Sequence, residues 1–396
     1  MLIDKFDVVV VGGGPSGAFA AYELAKKSLK VALIEKEQLP RYKACGGVVA
    51  PHIEKIIDFS ITPAIERRIS KMRVTVNLNA PFISESPRPF AYMVMRDTFD
   101  NYLVEIAQKA GVQIYQKSPL SGLEETQNGY IITIPQGEIG TRYVIGADGA
   151  NSTTRKFVGA PRFKRLSVAI EREIQSTPEY LEKWQDTIAL DFGYMRSGYA
   201  WVFPKAKNFS VGVVGPKSIA KQFNPYYDAT VNYYKDEIGN AKPYITAGHH
   251  LPIRIPNERI VFGKTLLIGD AAGLIEPMAG EGIYYAMKSG QLAAETIFEA
   301  TKSGNNQLLA YQKKIDLEIQ PELQVAKSLL YLLNLAPRFW VPRLLKQSHS
   351  FWKYFYRIFT GEKEYQDLPK KIGPLGQIFF SLLANDNSKL YNELSE

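Results

Sequence analysis

One cysteine, Cys45, stands in a chain of 396 residues. No internal disulfide can form, and a reducing cytoplasm is the expected setting. No apolar run approaches the roughly 18 to 20 residues that span a bilayer. The chain is therefore expected to touch a membrane at most, as a peripheral protein. No signal segment precedes the first strand: Met1–Lys5 leads straight into Phe6–Val11. There is no zinc-ligand cluster and no RNA-binding signature, so neither a metal nor nucleic acid is expected as a ligand. Internal repeats and low-complexity segments are absent as well. Acidic residues are missing from the whole span between Glu322 and Glu362.

What is present is ordinary in bulk and uneven in detail. Hydrophobic residues make up 45% and charged residues 22%, the balance of a globular protein with sizeable cores. The net charge is +8, which suits an anionic ligand or an anionic surface. The 23 Tyr and 20 Phe leave two readings open, an aromatic core and an aromatic-lined cavity or membrane face.

Asp7–Val11 is a β-branched run without polar interruption, the pattern of a strand buried on both faces. Gly12–Gly17 turns it into an Ala-rich helix, Ala18–Lys26, and Lys30–Ile34 is the next buried strand. This is a β-α-β unit of a parallel sheet. Asp97–Ala110 reads as a helix, followed by a strand at Val112–Tyr115. Asn128-Gly129 joins a hairpin of Leu120–Glu125 and Tyr130–Pro135. Arg142–Ala147 returns to the buried texture. From about Leu166, short strands at Ser167–Ile174, Thr187–Phe192, Tyr199–Pro204 and Phe209–Val214 suggest a separate antiparallel sheet. Thr265–Ile268 then resumes the first module, with a long helix starting near Gly280. The tail from about Ser303 reads as helical, punctuated by Pro321, Pro337, Pro342 and Pro374.

Gly12-x-Gly14-x-x-Gly17 lies between a strand and a helix, with Ser16 inside it. Glycines there permit the tight turn, the close approach of backbone to a pyrophosphate, and close helix–strand packing. The helix start offers free N–H groups and a positive dipole end. Glu35 ends the second strand and suits ribose hydroxyls, so FAD or NAD fits better than NADP. Two later segments bear on the choice. Tyr143–Ser152 ends in Asp148-Gly149. Thr265–Gly273 contains Gly269-Asp270, and Gly280-Glu281-Gly282-Ile283 opens the next helix. Here the sequence resembles the FAD-binding fold of aromatic-ring hydroxylases and their relatives. That resemblance implies FAD, with Asp270 on a ribityl hydroxyl and Gly280, Gly282 and Ile283 against the flavin. From the residues alone, Asp270 also reads as the cap of the following turn.

Two further segments are more specific: Pro40-Arg41-Tyr42-Lys43-Ala44-Cys45-Gly46-Gly47 and Tyr199-Ala-Trp201-Val-Phe203-Pro204-Lys205. With the FAD motifs they closely resemble the geranylgeranyl reductase family over about the first 300 residues. The implied enzyme is an FAD-dependent oxidoreductase acting on CH–CH groups of an isoprenoid or lipid. Hydride passes from reduced flavin N5 to the alkene, and the electrons come from NAD(P)H or from a redox donor protein such as ferredoxin. The resemblance also places Cys45 and Gly46 against the flavin. Arg96 would reach the FAD, Leu120 would give a backbone contact at the adenine end, and Tyr199, Trp201 and Phe203 would line the isoprenoid pocket. Cys45 has two readings, proton donor or small filler. Arg96 has the alternative of an ion pair with Asp97 or Asp100, and the aromatic strand that of a small core.

The implied fold class is α/β, a Rossmann-like FAD-binding domain with an inserted antiparallel β-sheet substrate domain and a helical C-terminal region. The expected division is 1–73, 91–163 and 255–302 for the first, 74–90 and 164–254 for the second, and 303–396 for the third. Phe339, Trp340, Phe351, Trp352, Tyr354, Phe355 and Tyr356 interleave with Lys327, Arg338, Arg343, Lys346, Lys353 and Arg357. Such a tail suits an interfacial helix on anionic lipid, or a cap over the substrate cavity. Trp201-x-Phe203-Pro204 also resembles the Trp-x-Trp-x-Ile-Pro segment of flavin-dependent halogenases, but the dedicated lysine of that family has no counterpart that can be located. The alternative is therefore a flavin monooxygenase or halogenase on the same fold. A third reading, a carrier of prenylated proteins with a decayed FAD site, is opposed by the intact glycines, Glu35 and Asp270.

Overall fold

The computed structural model describes residues 2–239, 242–303, 308–335 and 349–374. Its first sheet has eight strands. β1 (Leu2–Val11) lies at the centre, with parallel neighbours on both sides: β2 (Val31–Ile34) and the strand Gly137–Gly146. Thr265–Leu267 extends the sheet on one side and Gln113–Tyr115 on the other, both parallel. The run Val8–Val10 is fully buried, as β-branched residues must be when helices cover one face and a hairpin the other.

The helices Pro15–Lys26, Arg96–Lys109 and Ile283–Ser303 supply the first covering, through Ala18, Phe19, Leu24, Phe99, Leu103 and Leu292. Small residues let two of these helices touch: a Cβ on Gly290 would come within 2.7 Å of the Ser16 carbonyl. The hairpin Gly122–Thr126/Gly129–Ile134 covers part of the other face, with Tyr130, Ile132 and Ile134 turned onto Val9, Val11 and Ile34.

The second sheet has seven strands, in the order Pro243–Pro252, Leu166–Gln175, Asn208–Pro216, Tyr199–Pro204, Thr187–Phe192, Lys71–Val76 and Asn79–Glu85. It is antiparallel except where Lys71–Val76 runs parallel to Thr187–Phe192. That pair joins segments more than 100 residues apart, so no hairpin dictates its direction. Lys71–Val76 also runs across position 73/74, where the sequence reading divided the modules. One face packs on the helix Phe223–Ile238 through Ala200, Val202, Val211 and Val213. The other face carries Trp201 and Phe203, packed with Phe90, Met93, Trp352 and Phe359.

Two sequence expectations shift by a few residues. The long helix begins at Ile283 instead of near Gly280: Gly280 has φ +72°, and the first helical bond runs from Ala286 N–H to the Gly282 carbonyl. Leu120 does not start a strand. Pairing begins at Gly122, and Leu120 is buried in the small core beneath the hairpin.

Beyond residue 303 the described residues form the helices Leu309–Glu318, Gln320–Leu335, His349–Phe359 and Asp367–Ile372. No helix among the described residues is long and apolar enough to cross a membrane. Pro337, Arg338, Phe339, Trp340, Pro342, Arg343 and Lys346 lie outside the described residues.

Candidate functional site

The turn after β1 is shaped by packing. A Cβ on Gly12 would sit 2.4 Å from the Ala147 carbonyl oxygen, and one on Gly17 would sit 2.0 Å from the Gly12 carbonyl. Those two glycines close the turn and do not face the cavity. Gly14, Pro15 and Ser16 do face it. No side chain caps the first turn of the helix Pro15–Lys26, so its N–H groups are free to receive an anion.

Glu35 is buried beside the turn. Its Oε2 accepts from the Gly13 N–H at 2.8 Å and its Oε1 from the Glu37 N–H at 3.0 Å. Arg41 stands 3.5 Å from the same carboxylate and donates to Asp100 at 3.0 Å. Asp100, fully buried, receives the Arg96 guanidinium at 2.7 and 2.9 Å. Burial alone would raise the Asp100 carboxyl; the Arg96 guanidinium overrides it and holds the group below the ordinary carboxylate range. The Arg96–Asp100 pair is thus a buried link in a chain from the dinucleotide loop to the cavity wall, which Arg96 itself lines.

The cavity, about 760 Å³ in volume, is continuous from Gly14–Ser16 to the aromatic face of the second sheet. That is within the size range of small-molecule sites. Asp270, Gly280, Gly282 and Ile283 form one wall, and Cys45, Gly46 and Gly47 another. Asp270 accepts from His249 Nε2 at 3.0 Å and lies 3.7 Å from the Lys43 ammonium. Burial opposes its charge, yet Lys43 and the His249 bond hold it well below the usual range. Burial pushes His249 itself down. Asp148, by contrast, is spent internally, on Ser152 and on the N–H of Thr154 at 2.8 Å. Leu120 lies apart from the cavity, and so does Glu35.

The Cys45 loop and the Tyr199 strand prove to be one unit. Lys205, with no exposed surface, donates its Nζ to the Gly46 carbonyl and, at 2.9 Å, to the Val94 carbonyl. A Cβ on Gly46 would meet the Phe203 ring at 2.9 Å. One on Gly47 (φ +71°) would meet Lys205 Nζ and the Val94 carbonyl at 2.1 Å. Only a glycine pair lets the lysine and the rings close on this turn. Burial lowers the Lys205 ammonium, and Glu173 offsets part of that.

Tyr199, Trp201 and Phe203 all line the cavity, as the two-residue period of a strand requires. The Tyr199 hydroxyl donates to the Ala279 carbonyl at 2.6 Å, tying this strand to the Gly280 turn. Opposite stands the helix His349–Phe359. Its Trp352, Tyr356 and Phe359 are buried, with the Tyr356 ring tilted against Phe90 at 4.6 Å. Trp352 and Phe359 line the cavity together with Phe351 and Phe355, while Lys353 is exposed and Arg357 pairs with Glu362 at 3.1 Å.

Several of these residues carried no assigned role in the sequence reading. Arg41 and Lys43 lie inside a quoted motif, and Lys205 ends another; only the folded loop shows what they hold. His249 stands on the strand Pro243–Pro252, which the sequence reading did not mark. Glu171 also lines the cavity; the alternation Glu171-Arg172-Glu173 was the available signal.

The set fits FAD: a free helix start for the pyrophosphate, a buried carboxylate at the end of β2, glycine turns on two cavity walls, and Asp270 between them. Comparison with known proteins agrees. An FAD binding domain family matches residues 5–186. The chloroplastic geranylgeranyl diphosphate reductase of Arabidopsis thaliana is 30% identical over 411 residues, spanning 94% of this chain and 85% of that protein. The digeranylgeranylglycerophospholipid reductase of Methanocaldococcus jannaschii is 32% identical over 313 residues, 76% of this chain and 79% of that one. Among solved structures, a geranylgeranyl bacteriochlorophyll reductase-like protein from Thermoplasma acidophilum matches with a TM-score of 0.77 at 23% identity, covering 99% and 98% of the two chains. A flavin-dependent brominase matches with a TM-score of 0.70 at 20% identity, covering 90% and 94%. At such identities these two structures speak to the fold alone.

Proposed function

The chain belongs to the geranylgeranyl reductase family of FAD-dependent oxidoreductases, and on that premise we propose that it saturates carbon–carbon double bonds of an isoprenoid carried by a lipid, a diphosphate or a chlorophyll-type ring. Reduced FAD supplies the hydride, one per double bond. The protein's own work is to bind, orient and dry. Gly14–Ser16 and the start of their helix hold the pyrophosphate, Asp270 a ribityl hydroxyl, and the Gly46 and Gly280–Ile283 turns the flavin. Tyr199, Trp201 and Phe203 press the alkene from one side, and the rings of His349–Phe359 exclude water from the other.

The observation that carries this reading is the single cavity that runs from the dinucleotide turn to an aromatic, nearly apolar end. A flat ring at one end and a branched hydrocarbon at the other suit its two textures. The electron source is NAD(P)H or a ferredoxin-type donor; with no second dinucleotide motif, a nicotinamide would meet the flavin without a fold of its own. The Cys45 thiol packs beside the flavin turn, its Sγ accepting from the Gly47 N–H at 3.4 Å.

A second reading, oxygen chemistry of the monooxygenase or halogenase kind, draws on the fold shared with the brominase and on the Trp201-x-Phe203-Pro204 segment. Anaerobic mixing separates the two. Protein whose FAD has been reduced with dithionite regains its yellow absorbance on adding a geranylgeranyl substrate without air. If colour returns only with air, through a long-lived hydroperoxide spectrum, the second reading replaces the first.

A further inference from the structure

Saturating an alkene takes a proton as well as a hydride, and the second sheet carries two carboxyls on its cavity face. In the register of the sheet, Glu171 pairs with Gly212 and Glu173 with Ser210; on the next strand Gly212 pairs with Trp201 and Ser210 with Phe203. Directly opposed residues share a face. Two rows therefore cross the sheet, Glu171–Gly212–Trp201 and Glu173–Ser210–Phe203. A Cβ on Gly212 would lie 2.2 Å from Trp201 Cζ2, so the indole reaches across the glycine toward Glu171. Its Nε1–H donates to Ser210 Oγ at 3.2 Å.

Glu171 and Glu173 are 2% and 1% exposed, and carboxylates are not left so deep without partners. The Tyr42 hydroxyl donates to Glu171 Oε1 at 2.6 Å and lies 3.5 Å from Glu173 Oε1. It bridges the two. The Cys45 N–H donates to Glu171 Oε1 at 2.7 Å, and Asn208 donates to Glu173 Oε2. The one ammonium nearby, Lys205, is committed to the Gly46 and Val94 carbonyls. The Arg96 guanidinium also reaches Glu171 but is bound to Asp100, so neither cation is dedicated to the two carboxyls and one of them is best kept neutral. A purely structural bridge would be served as well by glutamine, which needs no buried charge.

We propose that Glu171, Tyr42 and Glu173 form a proton store and relay for the alkene, with Glu171 as the donor at the cavity wall. This rests on the function proposed above. In each turnover one alkene carbon gains hydride from the reduced flavin. The π-electron pair forms the second C–H bond with the proton of the Glu171 carboxyl. The resulting carboxylate takes the Tyr42 proton, and Tyr42 takes that of Glu173, which solvent restores. One reduced flavin and one proton are consumed per double bond. Burial raises the Glu171 carboxyl and pushes that of Glu173 up to about 7. Facing the pair are Tyr42 and Cys45 from the loop, Lys205 from its strand end, Arg96 from its helix and Tyr244 from the edge strand. The store is filled below that range, and the rate of the alkene step falls as pH rises through it.

Two measurements test this. The first is anaerobic single turnover of reduced protein with a geranylgeranyl substrate. Glu171→Gln slows the alkene step by at least about 100-fold, with FAD uptake and dithionite reduction as in wild type; Glu171→Asp restores part of the rate, and Glu173→Gln removes the alkaline fall. The second is an infrared pH titration of FAD-free protein. Carboxylic-acid C=O bands that titrate near neutrality are expected in wild type from Glu173 and from the buried Glu276 and Glu322, and Glu173→Gln removes one of them. Wild-type rate and pH profile in Glu171→Gln would overturn the relay, as would an infrared titration unchanged by Glu173→Gln; wild type with no band titrating near neutrality overturns it without any variant. A wild type that reduces no isoprenoid would instead overturn the function, while the infrared result still rules on the store.

Discussion

Arg96 and Asp100 show how much rests on a single buried pair. Arg96 is 6% exposed and Asp100 not at all, so Asp100→Asn leaves a guanidinium under-compensated inside the protein. A loss of about 3–5 kcal/mol is expected, measured by urea unfolding at pH 7. The sign with pH follows from the lowered Asp100 carboxyl. Between its folded value and its ordinary value of 3.8, the unfolded chain binds more protons than the folded one. The contribution is therefore complete above about pH 4, lost as pH falls through the folded value, and absent from the acid limb of the variant. Gly46 gives a second residue-scale prediction. Gly46→Ala drives a Cβ to 2.9 Å from the Phe203 ring and displaces the turn. FAD affinity falls by about 10-fold, or about 1.4 kcal/mol, in a fluorescence titration. Phe203→Leu in the same chain recovers part of it, because the two positions share one contact. Additive losses would mean that the contact is not what holds the turn.

At the scale of elements, the Cys45 loop, the Tyr199 strand and the helix His349–Phe359 enclose one space. The first two were legible as motifs, since residue types at fixed spacing survive in a bare sequence. Their union was not: it depends on Lys205 crossing between them, a contact made by tertiary packing. The register of the Glu171 strand was equally hidden, because the alternation of polar and apolar residues marks a strand without naming its neighbour. For the C-terminal helix, the sequence left open whether the rings point to lipid or to a cavity, and the structure turns Trp352, Tyr356 and Phe359 inward. Trp352→Ala is expected to cost about 3 kcal/mol of stability and to lengthen the apolar end of the cavity. The ratio of turnover on long against short isoprenoids rises accordingly. An unchanged ratio would remove this helix from the substrate wall.

The whole molecule joins the parallel sheet of its FAD-binding domain to an antiparallel sheet across one cavity, and the α/β class was readable from the first 35 residues onward. Its division into modules was harder to draw, because Lys71–Val76 leaves the first unit to pair with a strand more than 100 residues later. The net charge of +8 bears on how the proposed substrate would be met if a lipid carries it. Pelleting with anionic vesicles at low salt, and release as salt screens the surface, is the expected behaviour; no pelleting at low salt would exclude a membrane encounter driven by charge.

The central claim is that this cavity brings an isoprenoid alkene to reduced FAD. Its most direct test is the mass of a geranylgeranyl substrate after anaerobic incubation with the dithionite-reduced protein. The account predicts a gain of two hydrogens for each double bond saturated, in step with flavin reoxidation. An unchanged mass without air, with an oxygenated or halogenated product appearing once air and halide are admitted, would contradict it.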